Sequence, residues 1–187
     1  MNIGGGWHTD HSYDREPALG SILVARELPS SGGDTLFINM QSVYASLPAE
    51  LKIRIAKRVA IHSNEHIYGE SGYYAGTDLA PLLNGSEGVG NAEHPMVIRH
   101  PQTGAEVLYV NPGHTIGVKD MEHDEAITLL DVLYEYAQQP NFQCRCAWRP
   151  GSVAIWDSRL TWHLAENDYH EERRLMHRIT IAGEALE

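Results

Sequence analysis

Short apolar runs closed off by Gly- and Pro-rich turns recur along this chain, and that rhythm constrains its fold more than any other feature. Residues 19–28, rich in Ile, Leu, Val and Ala, read as a buried strand. Pro29-Ser30-Ser31-Gly32-Gly33-Asp34 is a turn signal, and Thr35-Leu36-Phe37-Ile38 reads as the returning strand. That pair is expected to form a hairpin or a tight corner. Residues 95–100 and 106–110 flank Pro101-Gln102-Thr103-Gly104 as a second hairpin. Residues 142–148, 153–156 and 173–182 read as three further strands.

Helices are fewer. Residues 40–47 and 48–59 read as helical. Pro48 suits a first helical position, and Leu51, Ile55 and Val59 share one face. The clearest helix covers 121–139. Its stripe is Ile127, Leu130, Leu133, Tyr134 and Ala137, with Glu122, Asp124 and Glu125 at the positive end and Pro140 as the stop. Residues 62–93 hold six Gly and no periodicity, and are expected to be an irregular loop and candidate active-site lid. The sum is a mainly β fold with packing helices, in a closed or double-sheet arrangement such as a jelly roll. With 187 residues, 1–187 reads as a single domain able to bury a core.

Gross properties exclude several classes. The formal charge of −11 argues against nucleic acid or a membrane surface as partner, since either would repel it. No apolar run approaches ~20 residues, so no membrane-spanning helix is expected. The start of the chain lacks the basic and apolar regions of a signal peptide. The two cysteines, Cys144 and Cys146, lie at i, i+2, a poor disulfide spacing, and a reducing cytoplasmic setting is expected.

Chemistry concentrates in a few places. In an extended Trp7-His8-Thr9-Asp10, His8 and Asp10 leave the backbone on one face. One imidazole and one carboxylate are two-thirds of a facial iron site, which needs a second His from elsewhere. His163, at the end of Trp156-Asp157-Ser158-Arg159-Leu160-Thr161-Trp162-His163, is the best candidate. A polar surface strand would also account for His-x-Asp alone. In 173–182, Arg174, Met176 and Arg178 alternate onto a common face. Guanidiniums directed into a sheet interior need anions. One reading is a two-point grip on a carboxylate. The other is a permanent internal partner such as Asp157.

Taken together, the motifs resemble the taurine dioxygenase / 2,4-dichlorophenoxyacetate dioxygenase family. The residues carrying the match are Trp7-His8-Thr9-Asp10, Pro29-x-x-Gly32-Gly33-Asp34-Thr35, Val110-Asn111-Pro112-Gly113-His114-Thr115 and Trp156-Asp157-x-Arg159-x-Thr161-x-His163. Asp168-Tyr169 and Arg174-x-Met176-His177-Arg178 complete the set, so the match runs from residue 7 to 183 in order and spacing. The resemblance implies a double-stranded β-helix and an Fe(II)/2-oxoglutarate-dependent dioxygenase. Such an enzyme hydroxylates a small anionic organic substrate with O2, while 2-oxoglutarate goes to succinate and CO2. By position, His8, Asp10 and His163 resemble the iron ligands. Arg174 and Thr35 resemble the residues that bind the distal carboxylate of 2-oxoglutarate. Arg178 resembles the arginine facing the substrate's anionic group, with His11 and Tyr13 on the substrate side.

Seven residues precede His8, whereas the family normally carries a substantial segment there. The chain is therefore expected to lack the usual N-terminal segment, which contributes pocket and oligomer contacts. A homo-oligomer is compatible with the resemblance. Gly4-Gly5-Gly6 stands where the taurine enzyme places an amine-binding Asn, so taurine itself is not expected. Two alternatives stay open: an inactive, truncated homologue binding metal and 2-oxoglutarate, and a cupin-like metal hydrolase or isomerase.

Overall fold

A computed structural model describes residues 5–78, 80 and 89–186. In chain order its strands are β1 (Gly20–Glu27), β2 (Thr35–Asn39), β3 (Val59–Ser63), β4 (Asn91–Pro95) and β5 (Val97–Arg99). They continue with β6 (Glu106–Leu108), β7 (Thr115–Val118), β8 (Gln143–Cys146), β9 (Val153–Asp157), β10 (Thr161–Ala165) and β11 (Leu175–Ile181). The helices are α1 (Met40–Ser46), α2 (Ala49–Ile55), α3 (Glu65–Tyr68) and α4 (His123–Ala137). Mainly-β with a few packing helices is thus what forms. Antiparallel pairing organises the strands into sheets of order β11-β1-β9, β10-β2-β8, β4-β3-β7 and β5-β6.

Of the two forms expected for the β1–β2 connection, a hairpin or a tight corner, the corner is what forms. β1 pairs with β9 and β11, while β2 pairs with β8 and β10, so the turn between them is a corner linking two sheets. Gly32 and Gly33 make that corner with φ of +78° and +72°, a region costly for residues with a Cβ. The hairpin expected around Pro101-Gln102-Thr103-Gly104 is present as β5 paired with β6.

Other boundaries moved. The helix expected over 48–59 stops at Ile55, Lys57 turns with φ +62°, and Val59 opens β3. Pro48 caps α2 rather than entering it. The irregular stretch expected at 62–93 is shorter: His62 and Ser63 finish β3, Glu65–Tyr68 is helical, and 91–93 belong to β4. Residues 79 and 81–88 of it lie outside the described residues. Strands β3, β7 and β10 escape a search for apolar periodicity because His, Ser, Gly and Thr interrupt it.

The main core lies between α1, α2, α4 and the strands beneath them. It contains Ile38, Met40, Val43, Ile55, Met96, Ile98, Leu108, Leu130, Leu133 and Trp162. Helix α4 buries Leu130, Leu133 and Ala137 as the stripe requires. Ala126 and Leu129 join them, while Ile127 sits at the edge. Trp162 is fully enclosed and donates its indole N–H to Val110 O at 2.7 Å, meeting the one polar demand of that ring. On the opposite side, β1, β9 and β11 carry an apolar outer patch, with Ile22 flanked by exposed Ile155 and Ile179.

Leu129 is fully buried, while Val132 on the same helix is 40% exposed. Leu129→Ala should therefore cost about 2–5 kcal/mol of stability. Val132→Ala should stay within about 0.5 kcal/mol. Urea unfolding monitored by circular dichroism measures both, and equal effects would contradict the α4 packing.

Candidate active site

The first and last parts of the chain meet at one isolated antiparallel bridge. His8 N–H donates to His163 O at 3.1 Å, and His163 N–H donates to His8 O at 2.8 Å. Thr9 points away from the site and donates its hydroxyl to Ser158 O, so the alternation expected for His8-Thr9-Asp10 holds. The result is a cluster in which the ligand atoms of His8, Asp10 and His163 lie within 4.8 Å of one another. His8 Nε2 is 3.8 Å from Asp10 Oδ1, and His163 Nε2 is 3.8 Å from Asp10 Oδ2.

Each of the three is oriented by neighbours. His8 Nδ1 donates to Gly6 O at 2.8 Å, which leaves Nε2 as the basic nitrogen facing the cluster. The His163 ring packs against Trp156 and Phe37, at centroid distances of 5.0 and 6.3 Å. Asp10 accepts from Ser21 Oγ at 3.0 Å and from Arg178 Nη1 at 2.9 Å. Burial is the largest influence on Asp10 and pushes its carboxyl upward. His163, Arg178, His8 and the Ser21 hydroxyl outweigh it, and the carboxyl ends below its ordinary range. Burial, then the nearby His8, pushes His163 down to about 3, so it is a neutral imidazole at neutral pH. A carboxylate and a neutral imidazole are the protonation states that bind a divalent metal.

The cluster opens into a cavity of about 780 Å³ walled by both of the three-stranded sheets that share the corner. Leu23, Trp156, Met176 and Arg178 come from one sheet, and Thr35, His163 and Ala165 from the other. All the residues singled out from sequence reach this cavity: His8, Asp10, His11, Tyr13, Thr35, His163, Arg174 and Arg178. The expected common face of Arg174, Met176 and Arg178 is therefore the inner one.

Two arginines serve it differently. Arg174 donates from Nε to Gly33 O at 3.0 Å, while its Nη2 is buried with no hydrogen-bond partner. Burial lowers the pKa of its guanidinium. A Cβ on Gly33 would stand 3.0 Å from Arg174 Cδ, so this glycine is needed for space as well as for its φ. Asp168 completes the arrangement by accepting the Gly33 N–H at 2.7 Å. Thr35, buried near by, accepts the Trp148 indole N–H at 3.0 Å and keeps its own hydroxyl hydrogen available. Arg178 takes Asp10 as its internal acid. Asp157, the partner considered from sequence, is instead held by Arg159 and by His100 Nε2 at 3.1 Å.

Sequence reasoning missed part of the wall. His66, Ile67, Tyr68, Tyr73 and Tyr74 from the segment after β3 line the cavity, as does His114. None of these six was singled out individually: the first five fall in the 62–93 stretch expected as a candidate lid, and His114 in the Val110-Asn111-Pro112-Gly113-His114-Thr115 motif of the family. That motif has a steric basis: a Cβ on Gly113 would come within 2.6 Å of His8 Cβ, so only glycine permits the approach.

A family profile described as "Taurine catabolism dioxygenase TauD, TfdA family" matches residues 1–180. The chain belongs to this family. Among relatives of this TauD/TfdA chain, an alkylsulfatase of Acinetobacter baylyi is 36% identical over 182 residues, which are 95% of this chain and 56% of that protein. An alpha-ketoglutarate-dependent sulfate ester dioxygenase of Pseudomonas putida is 34% identical over 183 residues, 95% of this chain and 60% of that one. Among solved structures, a taurine dioxygenase from Burkholderia xenovorans superposes with a TM-score of 0.82 at 32% identity, covering 100% of this chain and 60% of its own. The protein AAD-2 in complex with Mn(II) and N-oxalylglycine gives 0.83 at 30% identity, covering 98% and 71%. This chain thus spans between half and two-thirds of the length of the two sulfate-ester relatives.

Burial pushes His62, His114 and His163 each down to about 3. In an unfolded chain a histidine takes up its proton near 6.5. Between those values the unfolded chain binds more protons, so stability must fall as pH falls. Each such group contributes at most about 1.4 kcal/mol per pH unit. The urea midpoint of metal-free protein should drop continuously from pH 6.5 to 4.5, and His62→Phe should flatten the slope. A midpoint constant over that range would contradict the neutral burial of these rings.

Proposed function

We propose that this protein is an Fe(II)/2-oxoglutarate-dependent dioxygenase that hydroxylates a small anionic organic substrate. The observation that carries this reading is the coincidence, in one cavity, of a two-His, one-carboxylate cluster and a buried guanidinium nitrogen without a partner. Either feature alone is compatible with several chemistries. Together they match a metal with open positions and a co-substrate whose far end is a carboxylate. The walls contributed by two antiparallel sheets support a jelly-roll reading of the fold. The free cysteines support a reducing compartment such as the cytoplasm.

In this reading His8, Asp10 and His163 hold the metal. Bound Fe(II), with 2-oxoglutarate and O2, supplies the oxidising chemistry that yields succinate, CO2 and a hydroxylated substrate. Arg174 grips the distal carboxylate of 2-oxoglutarate in a dry pocket, and the Thr35 hydroxyl donates to it. Arg178 fixes Asp10 with one nitrogen and offers its remaining N–H groups to the anionic group of the substrate. His11 and Tyr13 face that substrate. Residues 66–74 act as the lid that excludes water. The names of the relatives, which include a sulfate ester dioxygenase, favour sulfate or sulfonate as the anion.

The direct test is anaerobic addition of Fe(II) and 2-oxoglutarate, which should produce a weak visible charge-transfer band. Exposure to air with a panel of sulfates, sulfonates and carboxylates should then release succinate in step with hydroxylated product. No band would leave a hydrolase or isomerase, and a band without turnover would leave a binding protein.

Arg174→Ala should raise the 2-oxoglutarate requirement about 10-fold or more, as expected for losing a charge-assisted hydrogen bond worth roughly 1.5–3 kcal/mol. Arg174→Lys should rescue only part, because an ammonium cannot reproduce a planar two-point grip. Unchanged dependence on 2-oxoglutarate would move that site elsewhere. Arg178→Ala should keep the 2-oxoglutarate band yet lose succinate formation stimulated by an anionic substrate. Undiminished turnover of the anionic substrate by Arg178→Ala would place the anion elsewhere.

A further inference from the structure

His114 is a buried imidazole in the cavity wall that neither the metal cluster nor the 2-oxoglutarate pocket uses. Its side chain is 5% exposed, and Nδ1 has no hydrogen-bond partner. No hydrogen bond joins Nε2 to any described residue either. The ring nevertheless lines the cavity. Its edge meets Tyr13 at a centroid distance of 4.8 Å and His8 at 6.1 Å.

Nor is the ring a loose side chain that settled there. The backbone N–H of His114 donates to Asn111 Oδ1 at 2.9 Å, and Asn111 Nδ2 donates to Ser12 Oγ at 3.0 Å. Tyr134 OH donates to Asn111 O at 3.1 Å from helix α4. The turn is locked to the core on one side and, through Gly113, to His8 on the other. A fixed imidazole whose buried Nδ1 has no partner is an unfavourable way to fill a wall position that Phe would fill without the loss. It becomes favourable when a ligand brings the missing partner.

We infer that His114 is a specificity-determining residue whose imidazole hydrogen-bonds a hydroxyl or similar polar group on the body of the substrate. Arg178 touches the Asp10 side of the metal cluster and His114 the His8 side. A ligand lying across the cluster therefore meets a cation at one end and an imidazole at the other. The substrate class narrows from any small organic anion to one that also carries a hydroxyl. This rests on the assignment of the substrate anion to Arg178. A site built to hydrogen-bond a substrate hydroxyl discriminates strongly against the analogue that lacks it, because the buried polar partner is then left unpaired.

The experiment uses protein loaded with Mn(II) and N-oxalylglycine, so that nothing turns over, and titrates pentyl sulfate and its analogues hydroxylated at carbons 2 to 5. Calorimetry should show one hydroxylated position bound at least 10-fold more tightly than pentyl sulfate by the unaltered protein. His114→Phe should bring that ratio close to one, and His114→Gln, which keeps a hydrogen-bonding group, should restore part of it. Circular dichroism checks that both variants are folded. If pentyl sulfate binds but no hydroxyl position is preferred, or if His114→Phe keeps the preference, His114 is not the determinant and the anion assignment stands. If none of the sulfates binds, the anion assignment fails and the inference falls with it.

Discussion

Two backbone hydrogen bonds between His8 and His163 hold together everything this protein does at its cavity. They join positions separated by most of the chain, and they do so at the two residues whose side chains must converge. A bridge of this kind fixes side-chain direction through the backbone, before any metal contributes. Asp10 then needs only the alternation of an extended segment to arrive on the same side. The Thr9 hydroxyl on Ser158 O and the Ser21 hydroxyl on Asp10 Oδ2 stop that segment from rotating.

The other half of the site depends on a corner. Gly32 and Gly33 carry the chain from the β11-β1-β9 sheet to the β10-β2-β8 sheet, and the same two residues leave room for Asp168 and Arg174. A Cβ on Gly32 would fall 2.5 Å from Asp168 Oδ1. One turn thus sets the separation of two sheets and the seat of a buried guanidinium. This links Pro29-x-x-Gly32-Gly33-Asp34-Thr35 to Asp168-Tyr169 and Arg174, motifs far apart in sequence. The electrostatics follow from the same geometry. The cavity holds the Asp10 carboxylate, its pKa lowered, two arginines, and two histidines, His114 and His163, kept neutral by burial.

Much of this was legible in the residues. His8, Asp10, His163, Thr35, Arg174 and Arg178 all reach one cavity, because period-two alternation and motif spacing are local properties that survive folding. The second hairpin and helix α4 followed from turn chemistry and apolar periodicity. Less legible were strands whose stability comes from neighbours. β3 contains His62 and Ser63, both buried, and β10 is Thr-Trp-His-Leu-Ala. Neither reads as a strand until the partners β4, β7 and β2 are known. The β1–β2 connection was open between hairpin and corner for the same reason: a Gly-rich turn determines that the chain reverses, not which strand it then joins.

By itself, then, the amino-acid sequence determined the chemistry available: a His-x-Asp pair, a distant His, alternating arginines and glycine corners at set spacings. Only the tertiary structure decided which of these groups are satisfied. Asp157 is one internal partner the sequence allows for Arg178, yet Asp157 is taken by Arg159 and His100, and Arg178 is taken by Asp10. His114 is one histidine among eleven in the sequence, and only the fold buries its Nδ1 without a partner. The physical reason is that hydrogen-bond satisfaction is a property of surroundings, and those are assembled from segments that the chain itself keeps far apart.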